Sequence, residues 1–170
     1  MTGLSEDSTI GTWRLTLRSL RAEDADEMAD VLADPALHEF TGGEPATLEE
    51  LRVGYASLLE GSGSSTELWL NWIVRRTEDD VAVGTVQATV MDPDAEPIAF
   101  VAWIIGSTWQ RQGYASEAAV GLVQWLTSQG IESVVAHIHA EHLASGAVAT
   151  RAGLLPTSEV ADGEVVWRLA

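Results

Sequence analysis

Val101-Ala-Trp-Ile-Ile-Gly-Ser-Thr-Trp-Gln-Arg-Gln-Gly-Tyr-Ala-Ser-Glu-Ala118 is the stretch on which the fold turns. Its start closes an apolar run, Ile98 to Ile105, with apolar residues on both faces, which predicts a central strand. From Gly113 the period changes to that of a helix. Ala115, Ala118, Ala119, Leu122, Val123 and Leu126 make one stripe, and Gly130 is the expected stop. Between strand and helix lies the short loop Gln110-Arg-Gln-Gly-Tyr-Ala115. Successive N–H groups of such a loop, with those of the helix's first turn, offer an anion cradle. Gly113 permits close approach, Ala115 keeps the helix mouth clear, and Arg111 adds a fork for phosphate oxygens. An ordinary strand–turn–helix with glycine at its bend is the other reading of this loop. The rival Gly61-x-Gly63 lacks a third glycine and precedes a strand.

Outward from this segment the pattern stays mixed. Trp13-Arg-Leu-Thr-Leu-Arg18 alternates, with Trp13, Leu15 and Leu17 on one side, as a half-buried strand does. Ala25, Met28, Ala29 and Leu32 predict a helix that stops at Asp34-Pro35. Thr47-Leu-Glu-Glu50 has the form of a capping box before a second helix carrying Leu51, Tyr55, Leu58 and Leu59. Leu68 to Arg76 and Val81 to Val90 predict a hairpin, with Gly84 marking a bulge. Trp69 and Trp72 fall on opposite faces of its first strand, which places at least one in the core. Val134 to His139, Ala144 to Ala152 and Glu164 to Leu169 predict a strand, a helix and a closing strand. The sum is one α/β domain over 1–170, with 1–11 a loose tail.

Composition narrows the chemistry. The 26 acidic residues against 9 basic ones give a formal charge of -17, which disfavours nucleic acid and anionic membrane and attracts cations. Cysteine is absent, so disulfides, thiolate metal sites and a cysteine nucleophile are excluded. Every basic residue is arginine, which excludes a Walker lysine and a Schiff-base lysine. The acidic, polar start is unlike a signal peptide, and the longest apolar run is too short to span a bilayer. The expected location is cytoplasmic.

The sequence resembles the GCN5-related N-acetyltransferases (GNAT), in particular their RimJ/RimL-type branch. Gln110-Arg-Gln-Gly113-Tyr-Ala115 is similar to the family's Gln/Arg-x-x-Gly-x-Gly/Ala, and Ser116-Glu117-Ala118 to the Thr/Ser-Glu-Ala that follows. Trp13 to Arg18, with Asp24 and Ala25, is similar to the opening strand and helix. Ala136-x-Ile138, Glu141 to Ser145 and Ala152-Gly153-Leu154 are similar to the branch's C-terminal pattern. The resemblance implies a single-domain GNAT fold: a mixed, mostly antiparallel central sheet, a splayed parallel strand pair, and helices on both faces.

It also implies acetyl-CoA as acyl donor. The pantetheine would lie along the backbone of Trp103, Ile104 and Ile105, and the pyrophosphate over Gln110, Arg111, Gln112, Gly113, Tyr114, Ala115 and Ser116. Strand groups otherwise left unpaired would be satisfied by the peptide-like cofactor. The implied acceptor is a primary amine on a small molecule or a protein N-terminus, and a homodimer is consistent with relatives. His142 replaces the family's asparagine, and Ala149 replaces the tyrosine that protonates the thiolate in many relatives. Ser145, matching the branch's serine, is the candidate for contacting the thiolate; its other reading is a helix-start hydroxyl. His137 and Glu39 are the candidate bases, and both have bland readings as structural or surface residues. With no cysteine, direct attack in a ternary complex is the expected mechanism. His137, His139 and His142 also have the spacing of a weak zinc set, but no metal is expected because the family pattern already accounts for His142. The alternative function is a non-catalytic acyl-CoA-binding domain that has lost its acid and base.

Overall fold

The computed structural model describes Leu4 and residues 7–170. Eight strands form one sheet in the order β1-β2-β3-β4-β5-β6-β8-β7. They are β1 (Thr9–Gly11), β2 (Leu15–Ser19), β3 (Glu67–Arg76), β4 (Ala82–Met91), β5 (Ile98–Ile105), β6 (Ser133–Ile138), β7 (Leu154–Ala161) and β8 (Glu164–Leu169). Every neighbouring pair is antiparallel except β5–β6. Four helices complete the domain: α1 (Asp24–Val31), α2 (Leu48–Glu60), α3 (Tyr114–Ser128) and α4 (Leu143–Arg151).

Period-two alternation sends the two faces of the sheet to different helices. Leu15, Leu17, Leu70, Trp72, Val74, Ala99 and Val101 share one cluster with Ala118, Ala119, Leu122 and Leu126 of α3 and with Val148 and Ala149 of α4. Each buried leucine contributes about 1.5–3 kcal/mol. On the opposite face Leu20, Ile73 and Ala82 meet Ala25 and Met28 of α1 and Tyr55 of α2. This second cluster stops short of β5 and β6. Phe100 is therefore 37% and Ile104 41% exposed. The capping box of α2 is complete, with Thr47 and Glu50 each accepting the other's backbone N–H.

Three differences from the sequence reading have physical causes. Trp13 is 89% exposed, whereas Leu15 and Leu17 are buried, because the strand starts at Leu15 and a tight turn held by Thr12 precedes it. Thr9–Gly11, assigned to a loose tail, pair with β2 as an edge strand; residues 1–3, 5 and 6 of that tail lie outside the described residues. Trp72 secures this end by donating its indole N–H to the Ser8 carbonyl at 3.1 Å. Strand β7 was not anticipated, since Pro156 and an irregular register between Pro156 and Val160 hide its alternation, as edge strands allow.

Candidate active site

Strands β5 and β6 share only three rungs: Ile98↔Ser133, Ala99↔Val134 and Phe100↔Val135. Beyond these β5 runs on to Ile105 and β6 to Ile138 without pairing, which opens a cleft. A bulge in β4 stands beside the far end of β5, where Val74 pairs with Gly84 but Arg75 with Ala82. Such a bulge adds local twist. A Cβ on Gly84 would lie 2.1 Å from the Ile104 carbonyl oxygen, so only glycine admits β5 there.

Register decides which backbone groups face the cleft. The Asp92 N–H donates to the Thr66 carbonyl and the Gly106 N–H to the Val83 carbonyl. Even-numbered residues of β4 thus bond β3, and odd ones bond even-numbered residues of β5. Trp103 and Ile105 turn their main-chain groups toward the cleft. Ile104, expected there as well, instead pairs its backbone with Thr85 of β4 and presents only its side chain on the open face. The Gln110 amide donates to the Ile105 carbonyl at 3.0 Å, tying the loop to the strand.

The loop itself is sharply bent. A 3-10 turn at Ser107–Trp109 is followed by Arg111 at φ +62° and Gly113 at φ +83°. Left-handed residues alternating with right-handed ones can converge their N–H groups. No side chain caps α3. Glu117, in its first turn, reaches elsewhere: it accepts from the Thr12 hydroxyl (2.6 Å), the Arg14 backbone N–H (2.6 Å) and Arg14 Nε (2.8 Å). Burial opposes its ionisation, but these hydrogen bonds prevail and hold its carboxyl below the ordinary value. Arg14 Nη1 also donates to the Gln112 carbonyl at 3.0 Å, and its guanidinium lies 4.7 Å from the centroid of the buried Tyr114 ring. Ala115 is half-buried, and Ser116 Oγ accepts from Arg151 Nη1 at 3.2 Å. Trp109 lies under Arg76, 4.9 Å from its ring centroid. Arg14 and Thr12 had no role in the sequence reading, where Arg14 was only a polar position in an alternating strand.

A third group sits beyond the end of β6. His142 caps α4, its Nδ1 accepting the Ser145 N–H at 3.4 Å. Phe40 stacks on His142 with centroids 4.3 Å apart and lies 5.3 Å from His139. Burial, with His139 adding to it and Glu39 opposing, lowers the pKa of His142 below its usual value. Glu39, Phe40, His139, His142 and Ser145 therefore come together. His137 stands apart, exposed on the part of β6 that no longer pairs with β5 and edge-on to Phe100 at 5.6 Å. Among the described residues no group of three or more His, Cys, Asp or Glu is placed to hold a metal ion, and no helix is long and apolar enough to cross a membrane.

An α/β sheet that splits between its parallel strands leads, at the split, through a short loop into a helix with no side-chain cap. A family model, the acetyltransferase (GNAT) domain, matches residues 14–155, and the chain belongs to the GNAT acetyltransferases. Solved structures agree. RimL, a ribosomal L7/L12 alpha-N-protein acetyltransferase in complex with coenzyme A, superposes with a TM-score of 0.77 at 18% identity, over 95% of this chain and 96% of its own. Ribosomal-protein-S5-alanine acetyltransferase from Vibrio fischeri gives 0.76 at 15% identity, covering 95% and 96%. Mycobacterium smegmatis RimJ, in complex with CoA-disulfide, gives 0.75 at 17%, covering 96% and 87%. No curated protein sequence matches the chain.

Proposed function

We propose that this protein transfers the acetyl group of acetyl-CoA to a primary amine by direct attack in a ternary complex. The observation that carries the reading is the parting of β5 and β6 after Phe100↔Val135, beside an α3 N-terminus that no side chain caps. Peptide-like pantetheine matches the main-chain groups that Trp103 and Ile105 turn into the cleft. The loop from Arg111 to Ser116, with its uncapped N–H groups, matches a diphosphate. Acetyl-CoA would supply an acyl group activated as a thioester.

His137, on the open face where the strands part, takes the proton of the acceptor ammonium. The freed amine nitrogen bonds the acetyl carbon as the carbon–sulfur bond breaks, and the second proton that the nitrogen sheds leaves with the sulfur as the CoA thiol. Ser145, in the first turn of α4, contacts the departing sulfur. A thiol with a pKa of ~8.5 leaves readily near neutral pH, so Ala149 in place of a tyrosine does not forbid turnover. Glu39, against His142 and Phe40, attracts the cationic acceptor, as does the formal charge of -17. RimL and the S5 acetyltransferase act on ribosomal proteins, which favours a protein N-terminus as acceptor.

Thiol release from acetyl-CoA, measured against a panel of peptide N-termini and small amines, tests the reading. Acetylation of at least one amine supports it. Tight acetyl-CoA binding with no release on any amine would favour the binding domain that Ala149 allows.

A further inference from the structure

Helices α1 and α2 cover only part of their face of the sheet, and β5 lies beyond them. Phe100, Ala102 and Ile104 point the same way on that face, and all three are exposed. Phe100 and Ile104 stand about 13 Å apart along the strand. Between them Ala102 carries only a methyl group, which leaves a gap bounded by two large apolar side chains. Gln87 of β4, paired with Ala102, is exposed as well, and its amide makes no hydrogen bond among the described residues.

Charge is absent from this part of the molecule. None of the 26 acidic and 9 basic residues falls in β4 or β5. Polar groups gather to one side instead: His137 is edge-on to Phe100 at 5.6 Å, and Glu39 acts on His142 beyond the end of β6. The bare face therefore has an apolar, uncharged part and, next to it, a proton acceptor and a carboxylate. An acceptor with a second ammonium, such as a polyamine, would lay that charge on strands that carry no carboxylate, at a cost in lost hydration. One amine beside a large apolar group matches both parts. A peptide group following it would meet the free Gln87 amide.

We infer that the acceptor is a peptide N-terminus whose first residue is large and apolar, its side chain seated over Ala102 between Phe100 and Ile104. This rests on the N-acetyltransferase reading and on His137 receiving the amine. It makes Ala102 the residue that sets the size of side chain accepted.

The test compares kcat/KM for two peptides that differ only in their first residue, leucine or alanine, with phenethylamine as a small-amine probe. Wild type and Ala102→Phe are measured side by side. Position 102 is exposed on a strand, where an aromatic residue is well tolerated, and an unchanged acetyl-CoA dissociation constant shows that the variant is folded. The wild type should favour the leucine peptide by about tenfold or more. Ala102→Phe, which fills the gap, should bring that ratio below about threefold. No wild-type preference for leucine, a ratio unchanged in Ala102→Phe, or acetylation of phenethylamine but of neither peptide would overturn the assignment while leaving the N-acetyltransferase reading standing. An unchanged ratio in a variant that has lost self-association in sedimentation would give the face to a second copy of the chain. No acetylation of these or of the wider amine panel would overturn both readings.

Discussion

Arg14 and Glu117, 103 residues apart in the chain, meet at 2.8 Å, and through this pair the β1–β2 turn holds the mouth of α3. The same carboxylate accepts from Thr12 and from the Arg14 backbone, while Arg14 supports the Gln112 carbonyl. Glu117 is thereby engaged away from its own helix, whose N-terminus has no side-chain cap.

Glu117→Ala removes three hydrogen bonds from a partly buried site. It should cost about 1–3 kcal/mol, lowering Tm by roughly 2–4 °C for each kcal/mol in a chain of this size. The cradle loses its buttress as well, so acetyl-CoA affinity should fall. Thermal denaturation together with calorimetry checks both effects.

Gly84→Ala places a Cβ against backbone, 2.1 Å from the Ile104 oxygen and 2.9 Å from the Ile105 Cα. The far end of β5 must shift, at a cost of ~1–3 kcal/mol. Because Trp103 and Ile105 lie on that segment, acetyl-CoA affinity should fall as well. A Gly121→Ala control meets only side-chain methyl groups, of Thr12 and Ile10, and should perturb cofactor binding less.

His137→Ala should lower kcat by ~10²–10⁴-fold, with little change in the affinity for acetyl-CoA. A loss below threefold with an unchanged pH profile would remove His137 from the role and transfer it to the cluster of Glu39, His139 and His142.

His142 gives a prediction in pH. Burial lowers its pKa in the folded state below the unfolded value of 6.5, so folding favours the neutral ring. Its contribution to stability is complete above pH 6.5 and is lost as pH falls toward the folded pKa. In His142→Asn, which keeps a cap for α4, denaturant unfolding should show a shallower loss of stability below pH 6.5 than in the wild type. Identical slopes would contradict the assignment.

What the sequence disclosed followed from whether neighbours in the chain carry the signal. The turn from Ile105 to Ala115 was legible because strand period, glycine and helix period follow one another without interruption. The capping box at Thr47 was legible for the same local reason, as was the burial of one of Trp69 and Trp72, though not which one. The parting of β5 from β6 came only through family resemblance, since nothing in Val101 to Ile105 states where pairing ends. The Ile104 backbone assignment failed because the parity of its hydrogen bonds depends on β3 and β4. Trp13 was misplaced because alternation holds only inside a strand. The Arg14–Glu117 bracket and the stacking of Phe40 on His142 join residues about a hundred positions apart, which no local period encodes.

The central claim is that the bend between Ile105 and Ser116 binds a nucleotide thioester through main-chain donors, and calorimetric titration of acetyl-CoA into the wild type and Gly113→Asp tests it most directly. Gly113 stands at φ +83°, and a side chain there would meet Arg14 and set a carboxylate against the diphosphate. The account predicts saturable binding by the wild type and none by a folded Gly113→Asp variant. Equal dissociation constants for the two proteins would contradict it.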